Sequence, residues 1–158
     1  MSWKNMFTGK ILTADEAVGY IKSGDTISIA NASSEPFALS DALARNAENY
    51  TDVNVNFLLS LRKETPYMAP GMEKHVRFTG FFLSGSTREC VKSGRADYMP
   101  GFFHQYPAML EARGGLDVLM ISISEPDEHG WCSMGTCIDH LPWARDNAKL
   151  VIAQLNKN

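Results

Sequence analysis

Long apolar runs, runs of basic residues and closely spaced cysteines are all missing from this chain of 158 residues. A helix that crosses a bilayer needs roughly 20 apolar residues, and no stretch approaches that length. The first residues also lack the apolar core of a signal peptide, so we expect a cytoplasmic protein. A formal net charge of −3 without clustered Lys or Arg argues against nucleic acid or a membrane as a partner.

Motifs that identify several common enzyme classes are absent as well. The sequence has no Walker A phosphate loop, no dinucleotide-binding fingerprint and no G-x-S-x-G nucleophile motif. The three cysteines, Cys90, Cys132 and Cys137, form no C-x-x-C pair and predict no disulfide framework, in keeping with a reducing compartment. Cys132 and Cys137 allow a redox role, although free cysteine more commonly serves as a small buried hydrophobic residue.

Strands alternate with helices along the chain. Thr-Ala-Asp-Glu at 13–16 has the capping-box pattern of a helix start, and Ser-Thr-Arg-Glu at 86–89 repeats it. Short β-branched or aromatic runs indicate the strands between them. The predicted strands are residues 26–30, 53–60, 76–83, 96–99, 116–124 and 149–155, and the later predicted helices are residues 36–49, 86–94, 104–112 and 140–147.

The run at 116–124 is the most apolar of these strands. Its sequence, Leu-Asp-Val-Leu-Met-Ile-Ser-Ile-Ser, is typical of a strand that is buried on both faces, as at the centre of a parallel sheet. The length favours one domain. We therefore predict an α/β fold with an open, mostly parallel sheet and helices on both faces.

Ligands of open α/β sheets bind outside the carboxyl ends of the strands, so the loops after the strands hold the candidate site residues. Asn31 and Glu35 lie in the loop before Pro36, which opens a helix whose N-terminus can accept an anion. Ser60 begins the loop after the second predicted strand.

Two further candidates lie at predicted helix starts. Arg88 is in a first helical turn, where a cation opposes the helix dipole; it indicates a carboxylate or phosphate site or, alternatively, a surface position without a role. His104, beside Gln105, either meets an anionic ligand or packs as a partly buried histidine.

The loop at 124–135 is the richest in chemistry. Pro126 and Gly130 bracket Asp127, Glu128 and His129, which allows a metal site. The spacing matches no standard zinc or calcium loop, so a rigid turn with solvated acids is the favoured interpretation.

Several segments together resemble the CoA-transferases of the acetyl-CoA hydrolase/transferase family, especially 4-hydroxybutyrate CoA-transferase and its butyryl-CoA:acetate relatives. The segments run in order along almost the whole chain. They are Thr-Ala-Asp-Glu-Ala-Val at 13–18, Ile-Lys-Ser-Gly-Asp at 21–25, Phe-Phe at 81–82, Ser-Thr-Arg at 86–88, Gly-Arg-Ala-Asp-Tyr-Met-Pro at 94–100, Phe-Phe-His-Gln-Tyr-Pro at 102–107, Leu-Asp-Val at 116–118, Ser-Glu-Pro-Asp-Glu-His-Gly at 124–130 and Ala-Lys-Leu-Val-Ile-Ala at 148–153.

Two positions depart from the usual pattern of that family. Glu125 replaces the first proline of Ser-Pro-Pro-Asp, and Gln105 stands where an acid often precedes Tyr106 and Pro107. Both lie where a pocket would be lined, which leaves the acyl preference open.

The resemblance implies transfer of coenzyme A from an acyl-CoA to a short-chain acid such as acetate, butyrate or 4-hydroxybutyrate. In such enzymes a glutamate carboxylate attacks the thioester, and the acyl-glutamyl anhydride that results is converted to a glutamyl-CoA thioester. A carboxylate is already ionised at pH 7 and needs no general base. In this family that glutamate lies in a second domain, after the point where this chain ends, so we expect no catalytic residue in residues 1–158.

The resemblance further implies that residues 1–158 form an N-terminal domain that works with a C-terminal CoA-transferase domain, and that the enzyme is a homo-oligomer. Coenzyme A and acyl-CoA are then substrates, and no cofactor is covalently bound. Candidate residues of the substrate cleft are Asn31, Glu35, Ser60, Arg88, His104, Gln105, Pro126, Asp127, His129 and Gly130. Two alternatives stay open: a non-catalytic module that binds an acyl or nucleotide ligand, and an acyl-CoA hydrolase that uses Glu35 or Asp127.

Overall fold

Six strands form a single sheet in the computed structural model. The structure describes residues 3–157 except for the side chain of Ser86. Every pair of neighbouring strands is parallel, in the order β4-β3-β2-β1-β5-β6, which confirms the predicted fold class. The strands are β1 (Thr26–Ile29), β2 (Val53–Phe57), β3 (Val76–Gly80), β4 (Ala96–Tyr98), β5 (Leu116–Ser124) and β6 (Ala148–Asn156).

In the described residues, two helices precede β1, and the other four lie in the connections between strands. These are α1 (Trp3–Met6), α2 (Ala14–Val18), α3 (Phe37–Arg45), α4 (Gly85–Lys92), α5 (Tyr106–Ala112) and α6 (Leu141–Asn147), together with short 3-10 turns. Helix α2 begins as predicted, because the Glu16 carboxylate accepts a hydrogen bond from the Thr13 backbone N–H (2.8 Å) while the Thr13 hydroxyl caps Glu16 N.

Two predicted helix boundaries were wrong. Helix α4 begins one residue before Ser86, with Ser84 as its N-cap: the Ser84 backbone N–H donates to the Thr87 hydroxyl at 2.8 Å, and the side chain of Ser86 lies outside the described residues. The helix predicted at 36–49 ends at Arg45, because the Asn46 side-chain amide donates to the carbonyl oxygen of Ala42. A 3-10 turn follows.

The second and third strands are also shorter than predicted. β2 and β3 pair in register and end together at Phe57 and Gly80. The next backbone N–H after β2, that of Leu58, donates to the Asn31 side chain at 3.2 Å instead of to a strand. The Asn31 side chain, in the loop after β1, therefore marks the end of strand β2.

The two faces of the sheet differ in character. The first face is apolar and packs Ile27, Val55 and Phe78 against α2 and α3. On the second face, α6 covers β5, while Asn54 and Asn56 of β2 lie over the middle of the sheet. Asn54 donates to the Thr79 hydroxyl at 3.1 Å, and the Asn56 side chain is fully buried.

Burial of β5 generates the first prediction. Leu119 is fully buried, so Leu119→Ala should lower the free energy of unfolding by about 2–5 kcal/mol. Leu61 is 66% exposed, and Leu61→Ala is the matched control, expected to change stability by less than about 0.5 kcal/mol. Urea unfolding of the protein measures both, and equal losses would contradict this packing.

Candidate functional site

The loops at the carboxyl edge of the sheet meet beside β1 and β5. After β1 the chain goes to β2 on one side, and after β5 it goes to β6 on the other, so a crevice opens between the two loops. Residues of the two loops bond across this crevice. The Ser33 and Thr136 hydroxyls lie 2.9 Å apart, the Cys137 backbone N–H donates to the Ser34 hydroxyl, and the Asn31 amide donates to Asp139 at 3.2 Å.

Three of the predicted site residues come together here. Asn31, Glu35 and Ser60 lie at the ends of β1 and β2, and with Arg62 and Tyr67 they form what we call the Glu35 cluster. The Ser60 hydroxyl donates to Glu35 Oε2 at 2.6 Å and accepts from the backbone N–H of Arg62 at 3.1 Å. The strand-end positions of Asn31, Glu35 and Ser60 could be predicted from the sequence, whereas the bond between Glu35 and Ser60 could not.

Glu35 is unusual for an acid, because its residue surface is only 4% exposed. Among the described residues, no hydrogen-bond partner reaches Glu35 Oε1 or the buried hydroxyl of Tyr67. Burial raises the pKa of Glu35 above its ordinary value of 4.5, while the Ser60 hydroxyl and the nearby charge of Arg62 oppose that shift. Burial also raises the pKa of Tyr67, with a further contribution from the charge of Glu35.

The guanidinium of Arg62 closes one side of the cluster. Arg62 Nη1 donates to Asp41 Oδ1 at 2.7 Å, and the guanidinium lies 4.9 Å from the centre of the Phe37 ring. Both partners belong to α3, so the loop after β2 is attached to the helix that follows β1. Sequence reasoning missed this contact, because Arg62 lies in a stretch predicted only as irregular.

A second polar cluster was missed altogether. His140 Nε2 lies 2.7 Å from the Ser28 hydroxyl, which also lies 3.3 Å from the Tyr106 hydroxyl. All three side chains are buried, and burial lowers the pKa of His140 to about 4. The imidazole is therefore neutral at pH 7 and holds the start of α6 against β1. No local pattern joins residues 28, 106 and 140, so this cluster gives no sequence signal.

The loop after β5 is a tight turn that is organised by Asp127. Its Oδ1 accepts the backbone N–H groups of His129 and Trp131, both at 2.9 Å, and these bonds lower the pKa of Asp127. His129 and Glu128 are exposed. The rigid-turn interpretation is confirmed, and in residues 3–157 no three His, Cys, Asp or Glu side chains are arranged to hold a metal ion.

Pro126 and Gly130 face the N-terminal segment instead of the Glu35 cluster. Pro126 helps to line a groove of about 750 Å³ between residues 3–20 and β6. A Cβ added at Gly130, whose φ is +85°, would lie 3.1 Å from Met6 Cε. Both therefore fit the turn and its packing, and neither is joined to Glu35 by an interaction in the described structure.

The remaining candidates are exposed. Arg88 lies in the first turn of α4, as predicted. His104 stacks on Phe102, with ring centres 5.9 Å apart, and the Gln105 amide oxygen accepts from Phe102 N at 3.0 Å. His104 is therefore not a partly buried histidine. Among the described side chains, none of these three contacts the Glu35 cluster.

No disulfide joins the three cysteines, and the surroundings of Cys132 and Cys137 disfavour the thiolate form. Cys90 is buried, whereas Cys132 and Cys137 are partly exposed and not the buried hydrophobic residues that sequence reasoning favoured. Burial raises the pKa of Cys137 to about 11, and the neighbouring Asp139 adds to that shift. A thiol held in its neutral form is a poor nucleophile.

Glu35 generates a pH-dependent prediction. Because its pKa is raised in the folded state, its ionisation destabilises the fold as pH rises through that pKa, and this cost is absent near and below pH 4.5, the ordinary value. Glu35→Gln should therefore be more stable than the parent protein at pH 7, with a difference that shrinks toward acid pH.

Urea unfolding of both proteins between pH 4 and pH 8 measures this effect. The exposed Glu64 lies in the same loop, and Glu64→Gln is the control for the loss of a surface charge. A difference for Glu35→Gln that stays constant with pH would show that the Glu35 carboxyl titrates as an ordinary surface acid.

No helix within residues 3–157 has the length and apolar character needed to cross a bilayer.

Comparison with known proteins gives consistent matches. The family model of the acetyl-CoA hydrolase/transferase N-terminal domain matches residues 1–158. The chain is 40% identical over 159 residues to 4-hydroxybutyrate coenzyme A transferase of Clostridium kluyveri, with all of this chain but only 37% of that protein covered. It is 28% identical to butyryl-CoA:acetate CoA-transferase of Anaerostipes caccae, covering 36% of that protein.

A solved structure shows the same architecture. The crystal structure of RipA from Yersinia pestis superposes with a TM-score of 0.88 at 26% identity, and the match covers 99% of this chain and 39% of that one. The chain thus spans a little over a third of the length of each of these proteins.

Proposed function

We propose that this chain forms one wall of the cleft of a CoA-transferase. The basis is that the chain belongs to the acetyl-CoA hydrolase/transferase family, whose N-terminal domain it matches. The enzyme would move coenzyme A between an acyl-CoA and a short-chain carboxylic acid such as acetate, butyrate or 4-hydroxybutyrate. The observation that carries this proposal is the crevice at the carboxyl ends of β1 and β5, in a chain that matches CoA-transferases along its whole length.

In the proposed mechanism a glutamate carboxylate from the C-terminal domain attacks the thioester and expels the CoA thiolate, which leaves an acyl-glutamyl anhydride. The thiolate then attacks the glutamyl carbonyl, which gives the glutamyl-CoA thioester and releases the acyl group as its free acid. Glu35 does not suit that role, because it is almost fully buried and one of its oxygens accepts from Ser60. The Asp127 carboxylate is occupied by a hydrogen bond from the Trp131 backbone N–H within its own turn. These contacts speak against the alternative of a hydrolase that uses either residue as its nucleophile.

The carboxyl edge supplies the apolar surface that such chemistry needs. Leu61, Phe82, Phe102 and Phe103 are large and exposed, and they follow β2, β3 and β4. An anhydride hydrolyses in water, so an apolar wall closed by the second domain would protect it. Arg88 would add a positive charge for the phosphates of coenzyme A or for the acid.

In this proposal the chain works with a C-terminal CoA-transferase domain, and the cytoplasmic enzyme is a homo-oligomer. Acyl-CoA is the substrate, and no separate cofactor takes part. The second candidate function is a non-catalytic acyl- or nucleotide-binding module, which the same apolar edge would also fit.

A complementation assay tests the proposed function. Residues 1–158 alone should show no transfer of CoA to labelled acetate, and a polypeptide with the C-terminal domain should restore transfer when mixed with them. Thiol release, followed in parallel, separates transfer from hydrolysis. Transfer by the isolated chain would contradict the missing nucleophile, and acyl-CoA binding without transfer in the mixture would favour the binding module.

Arg88→Ala in the protein joined to its C-terminal domain tests the charged contact. The expected result is a KM for acyl-CoA or for the acid raised roughly tenfold or more, since a charge-assisted hydrogen bond is lost. Unfolding free energy should not fall, because the removed cation opposes the dipole of α4.

The matched control is Lys92→Ala in the last turn of the same helix. Its steady-state constants should equal those of the parent enzyme. Unchanged constants for Arg88→Ala would remove Arg88 from the cleft.

A further inference from the structure

The loop after β2 begins at a single hydroxyl group that joins two parts of the chain. The Ser60 hydroxyl donates a hydrogen bond to Glu35 Oε2 at 2.6 Å and accepts one from the backbone N–H of Arg62 at 3.1 Å. A distance of 2.6 Å is typical of a hydroxyl bound to an ionised carboxylate. Glu35, in the loop after β1, is thereby connected to the backbone of the loop after β2.

Two further contacts attach the same loop to neighbouring elements. Leu58 N donates to the Asn31 side chain before the loop, and Arg62 pairs with Asp41 of α3. Leu61 lies between the two attachments and is exposed. Ser60 is buried and the Arg62 guanidinium lies on the Phe37 ring, so the conformation of segment 60–62 depends on contacts with the elements on either side.

Burial of a carboxylate costs more free energy than one hydrogen bond contributes. Glu35 Oε1 has no hydrogen-bond partner among the described residues, and the Tyr67 hydroxyl nearby has none either. A buried carboxyl that is only partly hydrogen-bonded destabilises a fold by the lost solvation of its charge. Stability alone therefore does not account for Glu35, and its one strong bond, to Ser60, is the contact through which it can act.

We propose that Glu35 is a positioning residue: through the Ser60 hydroxyl it holds segment 60–62 in the conformation that lines the cleft. This inference rests on the proposed CoA-transfer function for its effect on kinetics, but not for its effect on the loop. The charged and titratable groups that face Glu35 are Arg62, Asp41 and Tyr67.

The test uses the protein joined to its C-terminal domain and the variants Glu35→Ala, Glu35→Gln and Ser60→Ala. Amide hydrogen exchange of a peptide that covers residues 58–65, without substrate, reports the loop directly. Ser60→Ala removes the acceptor of the Arg62 backbone N–H and should speed exchange at Arg62 roughly tenfold, since one hydrogen bond is lost. Glu35→Ala removes the bond that orients the Ser60 hydroxyl and should speed the same exchange by a smaller factor. The double variant should be no faster than Ser60→Ala, because Glu35 acts on this amide only through Ser60.

Glu35→Gln separates positioning from a general structural role. Its amide oxygen can still accept from Ser60, so exchange and kcat/KM at pH 7 should stay within about threefold of the parent. The exposed Glu64→Gln in the same loop is the control for charge alone and should change neither readout.

The outcomes that would overturn the inference are specific. Exchange at 58–65 that is unchanged in Glu35→Ala and Ser60→Ala would show that the bond does not hold the loop. Faster exchange with unaltered kcat and KM would show that the loop does not serve the reaction. If Glu35→Ala does not fold, Ser60→Ala and Glu35→Gln give the same answers. A parent protein without CoA transfer would contradict the proposed function, while exchange would still decide the role of Glu35 in the loop.

Discussion

Parallel pairing of β1 with β5 is the constraint on which the rest of this structure depends. β1 pairs with β2 on one side and with β5 on the other, so all three strands end at the same edge. The loop after β1 must then share that edge with the loops after both neighbours. Asn31 is hydrogen-bonded to both of those neighbouring loops. Its side-chain oxygen accepts from the Leu58 N–H after β2, and its amide donates to Asp139 beyond β5.

Polar groups hold this edge together at a cost in stability. Glu35 is buried with one oxygen that has no hydrogen-bond partner within the described part of the chain, and His140 is held neutral with a pKa of about 4. Each would be less costly as an apolar side chain, if the edge had only to fold. Their bonds to Ser60 and Ser28 instead position a loop and a helix start on either side of the crevice. Hydrogen bonds of buried polar groups therefore help to fix the two sides of the crevice.

Much of the fold could be predicted from the sequence, because local signals are strong where strands and helices begin. The apolar run at 116–124 is the strand β5 at its predicted bounds, and Glu16 completes the predicted capping box. The site was predicted only as a set of strand ends. Whether Glu35 meets Ser60 depends on the register between β1 and β2, and the contact of Ser28 with His140 spans 112 residues. Such pairings arise from the tertiary fold and leave no periodic pattern.

The two faces of β2 and β3 constrain the evolution of this domain in different ways. Residues of the apolar face, such as Val55 and Phe78, can exchange for others of similar volume with small losses. On the opposite face, the Asn54 amide donates to the Thr79 hydroxyl, which also accepts from Arg113 at 3.4 Å. A change at one of these positions removes a hydrogen bond from another unless they change together. Homologous domains should therefore vary freely in side-chain shape on one side of this sheet and drift only by paired substitutions on the other.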